Sequence, residues 1–247
     1  MGMSLRDASK SFPGMDFLFL SRADLDITKA IEIREWFLKY RPDYCVNCAA
    51  YTQVDQAEKT PSPAYEVNVR GVENIARACK ELGTKLIHIS TDYVFDGKKS
   101  KGYFPSDIPN PINEYGRSKL EGERAIQQHL EKFFIIRTSW LYSKKYPPNF
   151  YLTILAKARK GEPLSVTGSQ RGCPTDAANL AHHILDIIQS ETMDYGISHF
   201  TDGEPMTWFE FACQILEKEG LVDYPHLTKA ENYRTFATRP RNSILKG

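Results

Sequence analysis

The chain has 247 residues, 41% of them hydrophobic and 26% charged, with a formal net charge of +1. This is the composition of one large α/β domain, or of a domain with a small lobe. It excludes a basic field for nucleic acid or lipid, and no apolar run approaches the roughly 20 residues that a membrane-spanning helix needs.

The N-terminus has no signal-peptide core. Residues 1–10 read as an amphipathic helix and 17–20 as a short apolar strand, followed by Ser21-Arg22 and the turn-like ADLDIT. Thr28 is a candidate cap for the next helix, which carries Ile31, Ile33, Trp36 and Phe37 at helical spacing and stops at Pro42-Asp43. Residues 44–50, YCVNCAA, read as a strand. Cys45 and Cys48 form a nominal C-x-x-C there, but a strand points them to opposite faces, as buried structural thiols. The five cysteines show no disulfide or zinc spacing, so no metal centre is expected and the cytoplasm is the expected compartment.

A helix over about 63–82 and a strand over 86–90 come next. A helix through Leu120, Ala125, Ile126 and Leu130 then leads to a strand over 133–140, whose alternation carries it into the core. Pro147-Pro148 breaks the chain, and a helix over 150–159 opens a smaller lobe. LSVTGSQRGCPTDAANLAHHI reads as a strand and a Gly/Pro loop entering a helix; HFTDGEPMTWFEFACQILEKEG reads as a strand, a turn and a helix capped by Gly220. Strands alternating with amphipathic helices predict a doubly wound parallel sheet of Rossmann type. Residues 1–142 are expected to hold the dinucleotide and 143–247 mainly the substrate.

The chemistry concentrates between His88 and Lys119, where HISTDYVFDG precedes a proline-broken loop and NEYGRSKLEGE. Tyr115 and Lys119 are four apart, on one face if the segment is helical. A phenol titrates near pH ~10, and an ammonium one turn away would stabilise its anion, as general acid catalysis requires. Thr91 adds a hydroxyl at a strand end, where open α/β sheets place ligands. His88, His182 and His183 have no carboxylate or cysteine at ligand spacing and read as structural.

These residues resemble the extended short-chain dehydrogenase/reductase superfamily. VNCAAYTQVDQAE, HISTDYVFDG and YGRSKLEGE in combination resemble its dTDP-4-dehydrorhamnose reductase branch, over nearly the whole chain from Met3 to Leu245. The resemblance implies reduction of dTDP-4-dehydro-L-rhamnose by NADPH, the last step of dTDP-rhamnose synthesis for cell-surface polysaccharide. In that reading Tyr115 donates a proton, Lys119 holds the nicotinamide ribose and Thr91 binds the carbonyl oxygen. Regulatory subunits of methionine adenosyltransferase share the fold and most of these motifs, but Thr91 and Trp140 favour the reductase. Another nucleotide-sugar reductase or epimerase is the third reading.

The family's Gly-rich turn, roughly T-G-x-x-G-x-L-G, is matched only by Gly2 and the helix after it. The first strand and the other glycines are expected to be missing from the given sequence, since a sheet without a central strand would expose two unpaired edges. Ser21 and Arg22 stand where an NAD-preferring fold has an acidic residue; a guanidinium there suits a 2′-phosphate, so NADPH is expected over NADH. Asp26-Ile27 matches an adenine-side pair. Ala49, Ala50, Tyr51 and Thr52 let the cofactor approach closely, with Ser90 beside them. The expected partner is a nucleotide sugar, and a homodimer is left open. Trp140 matches an indole that stacks on thymine. Asp92, Tyr93, Val94 and Phe95 are expected at the sugar, and Arg171 and Pro174, in QRGCPT, in the substrate lobe.

Overall fold

The computed structural model describes residues 1–222, 224–230 and 234–247. In chain order, α1 (Gly2–Ala8) is followed by α2 (Ala30–Tyr40), β1 (Tyr44–Asn47), α3 (Val54–Lys59) and α4 (Ser62–Tyr65). A π-helical stretch, Glu66–Gly71, joins α4 to α5 (Val72–Leu82), so the helix expected over 63–82 forms with a widened turn at its middle. Next come β2 (Lys85–Thr91), α6 (Glu114–His129), β3 (Phe133–Thr138), β4 (Leu141–Tyr142) and α7 (Phe150–Arg159). The chain continues with β5 (Leu164–Thr167), β6 (Arg171–Gly172), β7 (Thr175–Asp176) and α8 (Ala177–Gln189). β8 (Gly196–His199), β9 (Met206–Thr207), α9 (Trp208–Lys218) and β10 (Leu227–Ala230) complete it.

The main sheet has the order β1-β2-β3-β8, and every pair is parallel. Its strands alternate between two apolar cores. Leu86, Phe133 and Ile135 pack with α2, α5 and α6 on one face, while Ile87, Phe134 and Ile136 pack with α1 and α8 on the other. Both faces of β3 are therefore covered and all six of its residues are buried, a central strand in place of the alternating one expected. Cys45 and Cys48 do fall on opposite faces, and all five cysteines are free.

A second layer gathers α7, α9 and β5 around Trp140, Tyr151, Leu164 and Phe211, with β10 beside β5. Residues 177–199 interrupt it: α8 packs on α1 and β8 pairs with β3, so this part of the C-terminal half returns to the main sheet.

Three local expectations change. Residues 17–20 form no ladder. Phe17 and Phe19 face the core while Leu18 and Leu20 are exposed, a strand's alternation with no strand beside it. Thr28 does not cap α2, because its hydroxyl donates to Asp26 Oδ1 and Lys29 occupies the cap position. Ile31 is 74% exposed and lies off the apolar face of α2. Among the described residues no helix is long and apolar enough to cross a membrane, and no group of three or more His, Cys, Asp or Glu side chains is placed to hold a metal.

Candidate active site

The end of β2 and the first turns of α6 meet at one cavity of about 420 Å³. Asn113 fixes the start of α6. Its Oδ1 accepts from the Gly116 amide at 2.8 Å, and its Nδ2 donates to the Thr238 carbonyl at 2.9 Å. Tyr115 follows one residue into the helix and Lys119 one turn later, and both line the cavity with Thr91, Trp140 and Ala50. Thr91 is held on two sides: its Oγ1 accepts from the Tyr93 amide at 3.2 Å and donates to Asp92 Oδ1 at 3.0 Å.

Burial dominates the electrostatics. Part of the Tyr115 ring is open, but its hydroxyl sits deep, and that burial pushes the phenol up to about 12 against the opposing Thr91 hydrogen bond. Asp92 is raised from 3.8 to about 7, again chiefly by burial, and its Oδ2 has no hydrogen-bond partner. Lys119 is brought down to about 8 by burial, with the Glu123 and Cys48 charges opposing. The ammonium expected to ease the phenol does not do so here, because Lys119 Nζ contacts His88 Nε2 at 3.0 Å and the Ile89 carbonyl at 2.8 Å.

The cofactor residues expected from sequence divide. Ala50, Thr52, Ser90, Tyr115 and Lys119 line the cavity; Gly2, Ser21, Arg22, Asp26, Ile27, Ala49 and Tyr51 do not. Ser21 is tied to Asp24, and Arg22 is paired with Asp26 at 3.2 Å. Ile27 packs on Gly71, where a Cβ would lie 2.7 Å from it. The residues fit the nicotinamide–ribose end of a dinucleotide. Tyr115 and Lys119 offer polar hydrogens, Ala50 leaves room, and Asp92 lines the same space. At the pyrophosphate end Met1 lines the cavity and Gly2 opens α1 with free space where a Cβ would stand; among the described residues no Gly-rich turn accompanies it.

On the substrate side, Asp92 and Tyr93 line the cavity, whereas Val94 and Phe95 lie in the core with Tyr103 stacked on Phe95. Arg171 is exposed, its Nη2 donating to the Pro205 carbonyl at 3.3 Å, and Pro174 is buried. Trp140 reaches the cavity but is 9% exposed, stacked on Trp208 at 3.6 Å with a 7° tilt. Its φ of 48° is a backbone state that bulky residues rarely adopt, and such strain collects at functional sites.

Sequence reasoning missed three residues. Trp208 stands over Trp140 and donates to Gln170 Oε1 at 3.2 Å. Asn68, an amide inside an apolar helical pattern, ties the Tyr51 backbone to Ser118 of α6. His88, read as structural, touches Lys119 directly.

The family model described as "RmlD substrate binding domain" matches residues 1–247. The chain is 40% identical over 241 residues to dTDP-4-dehydrorhamnose reductase of Aggregatibacter actinomycetemcomitans, covering 93% of this chain and 81% of that one. It is 35% identical over 214 residues to dTDP-4-keto-6-deoxy-D-glucose reductase of Streptomyces niveus, covering 85% and 73%. The crystal structure of dTDP-4-dehydrorhamnose reductase from Bacillus anthracis in complex with NADP superposes with a TM-score of 0.91 at 36% identity, covering 98% of this chain and 85% of that one.

Proposed function

The chain belongs to the RmlD substrate binding domain family, and from that premise we propose that its cavity carries the NADPH-dependent reduction of dTDP-4-dehydro-L-rhamnose to dTDP-L-rhamnose. The protein is an oxidoreductase, and its product is the nucleotide sugar used for cell-surface polysaccharide. The observation that carries the reading is a single cavity wall that gathers Tyr115, Lys119, Thr91 and Trp140.

When bound, the reduced nicotinamide supplies a hydride to the ketone carbon. Tyr115, whose phenol keeps its proton through the neutral range, donates that proton to the carbonyl oxygen as negative charge builds there. Thr91, its oxygen still held by the Tyr93 amide, turns its single hydroxyl proton from Asp92 Oδ1 to the same oxygen. Lys119, once cationic, holds the ribose hydroxyls and balances the phenolate left behind. The Trp140–Trp208 stack offers an apolar wall to the base of the nucleotide sugar. We assign residues 1–142 to the cofactor layer and, within 143–247, the stretches around α7–β5 and α9–β10 to the substrate lobe; α8 and β8 support the sheet.

The test is direct. The full chain is mixed with NADPH and dTDP-4-dehydro-L-rhamnose while the nicotinamide absorbance is followed, beside a parallel reaction with dTDP-4-keto-6-deoxy-D-glucose. One NADPH should be oxidised per rhamnose precursor. Constant absorbance, or consumption of the glucose derivative alone, sinks the assignment.

A further inference from the structure

Beneath Lys119 runs a line of hydrogen bonds whose direction is fixed at both ends. Asn47 and His88 are register partners on β1 and β2, and both face α6. The Ala49 amide can only donate, and Asn47 Oδ1 accepts from it at 3.0 Å. That orients the side-chain amide, so Asn47 Nδ2 donates to His88 Nδ1 at 3.1 Å. The imidazole is fully buried and neutral, its pKa held well below the ordinary value chiefly by burial. A neutral ring that accepts at Nδ1 carries its proton on Nε2. That N–H points at Lys119 Nζ, 3.0 Å away.

An ammonium has three donors and no lone pair, so it cannot accept from His88. The remaining contact of Nζ is the Ile89 carbonyl at 2.8 Å, which can only accept. A neutral amine satisfies both neighbours, accepting from the ring and donating to the carbonyl.

We propose that His88, oriented by Asn47, is a positioning residue whose Nε2–H latches Lys119 only in its uncharged amine form, and that protonation of Lys119 releases it from the ring toward the cavity. A proton taken from solvent fills the lone pair, so Nε2–H and the ammonium then face each other as two donors. The groups around Nζ are His88 and the Ile89 carbonyl of β2, Cys48 beyond β1, and Tyr115 and Glu123 one turn either side on α6. Glu123 favours the charged form but is engaged by Ser90 and Arg137, so it stays where it is. The link to turnover rests on the role proposed for Lys119; the polarity of the hydrogen-bond line does not.

The discriminating variant is Asn47→Asp, which keeps the shape and reverses the line. The carboxylate accepts from the Ala49 amide and from His88 Nδ1–H, leaving Nε2 to accept from a charged lysine. In ligand-free full-length protein labelled with ¹⁵N-histidine, His88 is assigned by its loss in His88→Gln. It should show an unprotonated Nδ1 and a protonated Nε2, and the two should exchange places in Asn47→Asp. The pH dependence of Lys119 reductive methylation, read by peptide mass spectrometry, should move up by at least about one pH unit in Asn47→Asp, which is about tenfold less labelling at fixed pH on its rising limb. A wild-type ring protonated at Nδ1, or a Lys119 midpoint unchanged by Asn47→Asp, overturns the proposal. If that variant fails to fold, the wild-type tautomer alone decides. Neither readout uses nucleotide or sugar, so a failed reductase assay leaves the result standing.

Discussion

Tyr115 and Asp92 share one cavity, and burial acts on both, with opposite consequences for experiment. The Tyr115 phenol is pushed up to about 12, so it keeps its proton through the neutral range, as the acid role proposed for it requires. Tyr115→Phe should lower kcat by roughly 10²–10⁴-fold and leave KM for the nucleotide sugar nearly unchanged, measured by steady-state kinetics. Asp92 rises from 3.8 to about 7 on folding, so an unfolded carboxylate ionises before the native one does. Below pH ~4 both states are protonated and nothing is gained or lost. Between about 4 and 7 the unfolded chain is favoured increasingly, at up to about 1.4 kcal/mol per pH unit, and above 7 the penalty is constant. The stability of Asp92→Asn relative to wild type should therefore grow from pH ~4 to ~7 and then level off, in denaturant titrations across that range. The spacing of Tyr115 and Lys119 was legible in the sequence because a helix repeats locally. The partners of Lys119 were not, because Asn47 and His88 become neighbours only through the register of two parallel strands.

Helix α6 holds the face that carries Tyr115 and Lys119 against its neighbours by two close approaches. A Cβ on Gly116 would lie 2.2 Å from the Tyr93 carbonyl oxygen, and one on Gly122 would lie 2.2 Å from that of Asn68. Gly122→Ala should therefore destabilise by about 1–3 kcal/mol, seen as a lower urea midpoint with an unchanged m-value. Farther along, Glu123 binds Arg137 through Nε at 3.0 Å and Nη2 at 2.7 Å, with both side chains almost wholly buried. Arg137→Met leaves a buried carboxylate unpaired and should cost about 3–5 kcal/mol. Adding Glu123→Leu should recover much of that loss, since the pair's own desolvation is then removed; a double-mutant cycle of unfolding free energies measures it. The helices from α5 onward could be read from apolar periodicity. The strand expected at 17–20 shows the limit of that reading, since a period-2 pattern sends Phe17 and Phe19 inward but does not supply a neighbour to pair with.

Across the molecule the two layers meet at the cavity, where Trp140 at the end of the sheet lies under Trp208 at the start of α9. Trp208 is anchored by Gln170, and the capping box of Thr207 and Glu210 fixes the first turn of its helix. Trp208→Ala should raise KM for the nucleotide sugar by up to about tenfold with little change in kcat, because an aromatic stack of this kind is worth roughly 0.5–1.5 kcal/mol beyond its buried area. By itself the sequence determined the α/β class, the order of most elements, and the placing of Tyr115 and Lys119 on one helical face. Those properties follow from apolar periodicity and from spacings of a few residues, which a chain carries locally. The tertiary structure decided which groups those residues meet. It sent α8 and β8 back to the main sheet, set Trp208 on Trp140, drew Val94 and Phe95 into the core, and turned Lys119 toward His88. Strand register and the packing of distant helices govern each of these, and no local pattern encodes them.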